Sequence, residues 1–150
     1  MISGETKQLS IRTGATGIVK NEEGLICIQL HKKLDCYTLP GGKCDEGEIA
    51  LDAIFRELKE ELGIDVLSCQ KLFYHDFIGI EYPAHSGNMQ DFRHTYFNII
   101  SYAGEVVNME PEKHPELIWL TIEEIKNLDK KSWVLQEYLK YLENMENKPV

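Results

Sequence analysis

Residues 42–64 read GKCDEGEIALDAIFRELKEELGI, and this segment is the most informative part of the sequence. Its apolar side chains recur at intervals of three and four residues: Leu51, Ile54, Leu58 and Leu62. That spacing predicts an amphipathic helix over residues 47–62. Gly63 follows at the position where helices commonly end in a left-handed residue. The segment therefore predicts a helix whose apolar stripe packs onto the rest of the molecule.

The same segment concentrates negative charge, because seven acidic and three basic residues give it a net charge of −4. Glu57, Glu60 and Glu61 are three and four positions apart, so a helix holds them within an arc of about 100°. Arg56 can pair with Glu60, which leaves two acids unmatched. A hard cation such as Mg²⁺ relieves such repulsion by taking oxygen ligands. The pattern indicates a metal site bordering the core, and a solvent-exposed salt-bridge face is the alternative.

The remaining chain predicts strands on both sides of this helix. We expect strands at residues 11–20, 25–31, 37–39, 65–78, 92–102 and 116–120. The turn 21–24 favours a hairpin between the first two strands, and Pro40-Gly41-Gly42 is expected to break the third. Residues 80–91 are predicted to form a long polar loop, either closing over a substrate or inert.

Two further helices are expected in the C-terminal part of the chain. Thr121 and Glu124 form a capping box at the start of TIEEIKNL, and an amphipathic helix is predicted over residues 131–145. Strands, a helix, strands and helices in this order predict an α/β (α+β) sandwich with a mixed sheet.

Composition limits the classes of function. The 150 residues are 43% hydrophobic, which suits a single domain over residues 1–150 with a sizeable core. A net charge of −9 without a basic block disfavours long nucleic acid as a partner. No apolar stretch is long enough to span a membrane, and MISGETKQLS does not resemble a secretory signal. We therefore expect a cytoplasmic protein with reduced cysteines.

The spacing within residues 42–64 resembles the signature of the Nudix hydrolases. Gly42, five residues, Glu48, seven residues and then Arg56 to Ile64 fit G-x5-E-x7-R-E-U-x-E-E-x-G-U, where U is aliphatic. Every fixed position matches, and the order of elements is similar to that family's α/β/α sandwich. The resemblance implies one Nudix-type domain whose signature occupies residues 42–64.

The resemblance also implies roles for individual residues. Glu57, Glu60 and Glu61 would be metal ligands, with the carbonyl of Gly41 as a further ligand. Arg56 would orient the carboxylates through a charge-assisted hydrogen bond. The general base would be a glutamate of the signature, either Glu57 or Glu61, and the resemblance leaves this choice open.

Three other residues of the segment receive weaker assignments. Gly42 supports the site as a fixed position of the signature. Glu48 either fixes the loop–helix junction or reaches the metal through water. Lys43 either meets a substrate phosphate or is an ordinary solvated lysine.

A second resemblance covers residues 104–119, GEVVNMEPEKHPELIW. It is similar to a stretch of MutT-type Nudix proteins, G-E-x-x-N-x-E-P-E-K followed by W, in which a loop glutamate completes the metal site. Glu112 is the candidate ligand here and Glu110 is the second. The chain departs from the pattern at His114 and Leu117, so base specificity is not carried over, and a plain polar loop is the alternative.

The implied activity is Mg²⁺-dependent hydrolysis of a nucleoside diphosphate linked to another group, with Mn²⁺ as a substitute. A (deoxy)nucleoside triphosphate cleaved to monophosphate and pyrophosphate is the leading expectation. ADP-ribose, a nucleotide sugar or a dinucleoside polyphosphate is the alternative substrate. A non-catalytic nucleotide-binding module is a second alternative, and RNA 5′-end processing is a third. The expected partner is a small nucleotide, and the resemblance is compatible with a homodimer.

Overall fold

A computed structural model describes residues 12–81 and 89–148. Within these residues the chain forms seven strands and three helices. In chain order they are β1 (Arg12–Ile18), β2 (Ile26–His31), β3 (Cys36–Thr38), β4 (Gly41–Lys43), α1 (Ala50–Leu62), β5 (Asp65–Glu81), β6 (Met89–Ala103), β7 (Glu116–Leu120), α2 (Ile122–Lys126) and α3 (Trp133–Glu146).

The strands form two sheets. The first has four strands in the order β4-β1-β6-β5, and it is mixed because β1 and β6 run parallel whereas the other pairs are antiparallel. The second is antiparallel, with the order β3-β2-β7. The predicted mixed sheet is confirmed, and the antiparallel sheet stands beside it.

Two apolar clusters place helices on opposite sides of the strands. In one cluster Ile54 and Leu58 of α1 pack with Phe97 of β6. In the other cluster Leu135 of α3 packs with Tyr96, the residue before Phe97. Because successive strand residues point to opposite faces, α1 and α3 lie on opposite sides of β6. The α/β/α sandwich expected from the sequence is confirmed.

The predicted hairpin between the first two strands forms at their ends and does not continue along them. β1 and β2 belong to different sheets. Their ends are joined by an antiparallel bridge between Lys20 and Ile26 and by hydrogen bonds from the Cys27 N–H to the Val19 carbonyl at 2.8 Å and from the Asn21 N–H to the Leu25 carbonyl at 3.0 Å. Both edges of β1 are already paired, one with β4 and the other with β6. The turn after β1 therefore carries the chain from one sheet to the other.

The glycines expected only to break a strand also form one. Gly41 to Lys43 make up β4, which pairs with β1 in the register Gly41 to Thr16. Gly41 has a φ of +142°, and a Cβ there would lie 2.1 Å from the Ala15 carbonyl oxygen. Only a glycine lets the two backbones approach this closely.

The boundaries of α1 follow local backbone geometry. The helix begins at Ala50 rather than at the predicted residue 47, and its N-cap Ile49 is extended and offers no side-chain hydrogen bond. It ends as predicted at Gly63, which has a φ of +72° and donates its N–H to the Lys59 carbonyl. The helix is therefore about three and a half turns long and lies behind β4.

Other boundaries differ mainly in the long strands. β5 and β6 extend into the predicted loop 80–91, because β5 continues to Glu81 and β6 starts at Met89. Residues 82–88, on which a lid interpretation depends, lie outside the described residues. The predicted capping box between Thr121 and Glu124 is confirmed at α2.

Among the helices of residues 12–81 and 89–148, none combines the length and the apolar character needed to cross a membrane. The four cysteines are free thiols, as expected. Burial raises the pKa of Cys27 to about 12, so this thiol is unreactive and contributes only to packing.

Candidate active site

Two glutamates of α1 face the glycine strand β4. Glu57 and Glu61 are one helical turn apart, and their carboxyl groups lie close enough for Glu57 to raise the pKa of Glu61. A Cβ on Gly42 would lie 2.8 Å from the carboxyl carbon of Glu57, so the bare backbone runs directly against that group. The Gly41 N–H donates to Oε1 of Glu61 at 3.4 Å. The strand therefore forms one wall of an acidic site.

Glu61 lies inside the core, with 3% of its surface exposed. Desolvation raises its pKa well above the ordinary value, and the neighbouring carboxyl group of Glu57 raises it further. The Gly41 N–H and the Gln29 amide act in the opposite direction. We expected the carboxylates to border the core, and for Glu61 this is wrong. The chain after β6 is attached to the backbone at this point, because the Met109 N–H donates to the main-chain carbonyl of Glu61 at 2.9 Å.

Arg56 ties the acidic residues together. Its guanidinium donates two hydrogen bonds to Glu48, at 2.8 and 3.0 Å, and one to the Lys43 carbonyl at 3.2 Å. It also donates to Glu57 at 3.0 Å and, as the spacing predicted, to Glu60 at 3.1 Å. This geometry fits an arginine that fixes carboxylate rotamers, because a planar fork restrains several acceptors at once.

Glu48 holds the loop before α1. It accepts both hydrogen bonds from Arg56 and one from the Asp45 N–H at 2.9 Å. These bonds lower the pKa of Glu48 to about 2, with the Arg56 contact as the largest cause. Of the two roles left open by the sequence, the contacts are those of a residue that fixes the loop–helix junction.

The structure does not bring the three predicted metal ligands together. Glu60 lies on the outer flank of α1, where 51% of its side chain is exposed, and its described contact is with Arg56. Over residues 12–81 and 89–148, no three histidine, cysteine, aspartate or glutamate side chains are grouped closely enough to hold a metal ion. Of the three predicted ligands, only the carboxyl groups of Glu57 and Glu61 lie close together.

The predicted loop ligand Glu112 is also apart from this pair. It is exposed and lines a shallow pocket with His31 and Lys33. Glu110 is less exposed, at 23% of its side chain, and accepts a 3.3 Å hydrogen bond from Lys113. Glu110 follows the segment that is bonded to the end of α1, so it is the better placed of the two loop acids.

Lys43 lies at the end of β4, half-buried and close to other cations. Partial burial lowers its pKa, and the positive charges of Arg12 and Lys33 lower it further. A group of cations beside an acidic site in a chain of net charge −9 favours contact with an anion. Lys43 therefore belongs to a group of positive charges at the end of β4.

Sequence reasoning missed a polar cavity next to the glycine strand. Gly41, Gly42 and Trp133 contribute to its walls, and the polar lining includes Thr16, Gln29, Thr38, His94, His114 and Ser132. The sequence of β2 contains one indication of this cavity, because the polar Gln29 interrupts the apolar run ICIQLH. In the structure Gln29 is fully buried.

Comparison with known proteins agrees with this geometry. Residues 11–142 match the model of the NUDIX domain. The chain is 46% identical over 43 residues to an 8-oxo-dGTP diphosphatase of Proteus vulgaris, an alignment covering 27% of this chain and 38% of that protein. It is 40% identical over 47 residues to an RNA pyrophosphohydrolase of Ruthia magnifica, covering 31% of this chain and 26% of that protein. These matches therefore span only about a quarter to two fifths of the relatives' length.

A solved structure extends the similarity to nearly the whole fold. The crystal structure of a MutT NUDIX hydrolase from Burkholderia pseudomallei superposes with a TM-score of 0.71 and 25% identity, covering 89% of this chain and 98% of that one. The sandwich and its glutamate-bearing helix thus define a domain of the MutT type. The chain belongs to the Nudix family, as the signature in residues 42–64 predicted.

Proposed function

We propose that this protein is a hydrolase that cleaves a nucleoside diphosphate linked to another group with the help of a divalent cation. The leading substrate is a (deoxy)nucleoside triphosphate, cleaved to a monophosphate and pyrophosphate. The proposal depends on one observation. The carboxyl groups of Glu57 and Glu61 lie close together, next to the backbone of Gly41 and Gly42. The relatives named as diphosphatase and pyrophosphohydrolase support it.

The donor set fits a hard cation. Two carboxyl groups in contact require a proton or a cation between them, and carboxylate and carbonyl oxygens are the ligands that Mg²⁺ prefers. Glu57, Glu61 and the Gly41 carbonyl would hold Mg²⁺, or Mn²⁺ in its place. Glu60 and Glu112 would join this set only after their side chains turn toward the pair. The bound cation would neutralise the phosphates and make water more acidic.

The protein's own groups then position and deprotonate water. About 15% of the Glu57 side chain is exposed, whereas Glu61 is buried, so water reaches Glu57 more readily. We assign Glu57 as the general base, with its rotamer fixed by Arg56. Water attacks the α- or the β-phosphorus, its proton passes to Glu57, and the bridging P–O bond between these two phosphorus atoms breaks, so that pyrophosphate or the monophosphate leaves.

Lys43 is assigned to the substrate phosphates. Arg12 and Lys33 contribute positive charge to the same region, because both lower the pKa of Lys43. The polyphosphate would thus lie between this group of cations and the glutamate pair.

A nucleotide panel tests the proposal directly. The protein is incubated with triphosphates, ADP-ribose, dinucleoside polyphosphates and 5′-triphosphorylated RNA, with Mg²⁺ or Mn²⁺, and the products are identified by phosphorus NMR. We expect monophosphate and pyrophosphate from at least one triphosphate. Two monophosphates from ADP-ribose would shift the proposal to the alternative substrate class. Tight binding without turnover of any member would instead indicate a binding module.

We further propose that residues 1–150 form a single domain and that the protein is cytoplasmic. Its ligand would be a small nucleotide and not a long nucleic acid.

We also propose that the protein forms a homodimer. The apolar residues Ile49, Leu51 and Phe55 at the start of α1 are 61%, 42% and 41% exposed and are available for self-association. Sedimentation velocity at several concentrations tests the assembly, and a monomer at all of them would contradict it.

A further inference from the structure

The four-stranded sheet is wider than the helix that packs on one of its faces. Four strands spaced about 4.8 Å apart occupy roughly 19 Å, whereas a helix with its side chains is about 10–12 Å across. α1 lies against Ala15 of β1 and Phe97 of β6, and β5 is the edge strand beyond β6. This difference in width leaves a groove of about 420 Å³ between the start of α1 and the strands β5 and β6.

Apolar side chains along this groove remain open to solvent. Leu51 of α1, Cys69 of β5 and Phe97 of β6 contribute to its walls. Leu51 is 42% exposed, and Phe55, one helical turn further on, is 41% exposed. We call Leu51 and Phe55 the apolar strip. Because removal of such side chains from water is favourable, the strip provides affinity for a surface that covers it.

An acidic side chain borders the apolar strip on its solvent side. A helix turns by about 100° per residue, so from the buried Leu58 the apolar strip lies about 20–60° around α1 and Asp52 lies about 120° around it in the same direction. Asp52 is exposed, and it forms no ion pair or side-chain hydrogen bond with any other of residues 12–81 and 89–148. Its charge is therefore available to a second molecule.

A basic side chain borders the same groove on the side of the sheet. Lys71 lies opposite Phe97 in the antiparallel register of β5 and β6, so both side chains are on the face that carries α1. Lys71 lines the groove and is exposed, and within the described part of the chain no acidic group pairs with it. The apolar strip thus runs between a negative charge on the helix and a positive charge on the edge strand.

This arrangement is complementary to a second copy of itself. In a two-fold interface both subunits use the same patch, and a contact of one residue with another is repeated in the reverse order. An axis through the apolar strip stacks the two strips and sets each Asp52 against Lys71 of the partner subunit. The strips then supply affinity, whereas the charges fix the orientation of the two copies.

We propose that the protein forms a two-fold dimer through the apolar strip, with Asp52 of each subunit paired with Lys71 of the partner subunit. This inference rests on the homodimer of the proposed function and specifies its interface. Glu57 and Glu61 lie about 100° and 60° around α1 from Leu58 in the opposite direction. The dimer therefore leaves the candidate active site open to substrate.

Exchanging the two charges tests this interface. Asp52→Lys sets the new lysine against Lys71, and Lys71→Asp sets the new aspartate against Asp52, so each variant repels its own copy. We expect sedimentation velocity to show for each a dimer dissociation constant about tenfold or more above that of the wild type. In an equal mixture of the two variants every contact again joins opposite charges, and we expect dimers within about threefold of the wild-type affinity.

Recovery on mixing distinguishes the contact from damage to the fold. Asp52→Lys also removes an acid from the first turn of α1, where the helix dipole favours one, and mixing cannot repair that loss. Glu143→Lys makes the same change of charge at an exposed position of α3 and should keep the wild-type dissociation constant. If Asp52→Lys does not fold, Phe55→Ser removes apolar area from the strip instead and should raise the constant about tenfold.

A dimer whose affinity ignores both charge changes would overturn the interface, and so would two variants whose mixture stays dissociated. A wild type that is monomeric at every concentration overturns it together with the homodimer. Hydrolysis of the nucleotide panel by the same samples separates these results from the hydrolase, because the candidate active site faces away from the interface and every sample should retain turnover. Charge-dependent dimers without hydrolysis contradict the hydrolase alone.

Discussion

Glu61 contributes to the candidate site but lowers the stability of the folded protein. A carboxyl group with 3% exposure, close to a second acid, is unfavourable in the absence of a cation. The apolar residues on either side of it in α1, Leu58 and Leu62, are fully buried and hold the backbone in place. Packing of the helix therefore forces the carboxyl into the interior.

Removing the acidity of either glutamate of the pair should abolish turnover. Glu57→Gln and Glu61→Gln keep shape but lose negative charge, and we expect the rate to fall by about 100-fold or more in each. Steady-state kinetics with the best nucleotide of the panel measures this effect. Glu143→Gln, at an exposed position of α3, should behave like the wild type. Near-normal rates in both site variants would contradict the assignment.

Glu61→Gln should stabilise the protein when metal is absent. Because glutamine carries no ionisable group into the core, Glu61→Gln should melt several degrees above the wild type in EDTA. The gain from Glu57→Gln should be smaller, since Glu57 is partly exposed. Mg²⁺ should raise the melting temperature of the wild type and leave that of Glu61→Gln unchanged. Calorimetry that shows Glu61→Gln to be destabilised in EDTA would refute this explanation.

At the scale of elements, the site depends on how β4 and the loop before α1 lie against the helix. Gly41 and Gly42 remove the side chains that would separate strand from helix. Arg56 and Glu48 then fix the loop that joins them.

Adding a methyl group to the glycine strand should distinguish the roles of its two glycines. Gly42→Ala places a Cβ 2.8 Å from the Glu57 carboxyl, so we expect it to fold and to lose about tenfold or more of its activity. Gly41→Ala meets the backbone of Ala15 and should reduce the melting temperature markedly. Gly47→Ala, which has open space around it but a φ of +78°, is the control for left-handed backbone strain and should cost about 1–2 kcal/mol without loss of activity. Circular dichroism and kinetics on all three separate folding from activity.

The ion pair between Arg56 and Glu48 should make the stability of the protein depend on pH in the acidic range. The folded-state pKa of Glu48 is about 2, below its ordinary value of 4.5, so its ionised form stabilises the protein above pH 4.5. That contribution should disappear as the pH falls from 4.5 towards 2. The stability difference between wild type and Glu48→Gln should therefore be constant near neutrality and shrink below pH 4.5. Urea denaturation at several pH values measures it, and a difference that persists to pH 2 would contradict the assignment.

At the scale of the whole molecule, patterns local in sequence predict structure better than contacts between distant segments. The stripe from Leu51 to Leu62 predicted α1, and the capping box predicted α2, because each depends on residues within one or two turns. The separation of β1 from β2 into two sheets depends on pairing with β6, about 80 residues away, which no local pattern encodes. The convergence of Glu57 and Glu61 followed from helical spacing, whereas the cavity at Gln29 required both sheets to be in place.

The parallel pairing of β1 with β6 has a consequence for biosynthesis. Residues 12–18 align with residues 92–98, so β1 finds one of its two neighbours only after about 80 further residues have been made. Contacts of such long sequence separation form slowly, because a large loop must close before they yield any stabilisation. On the ribosome, β4 can cover one edge of β1 early, while the other edge waits unpaired although the helix behind it is already able to form. The order of translation therefore leaves this edge of β1 open until residues 92–98 are made.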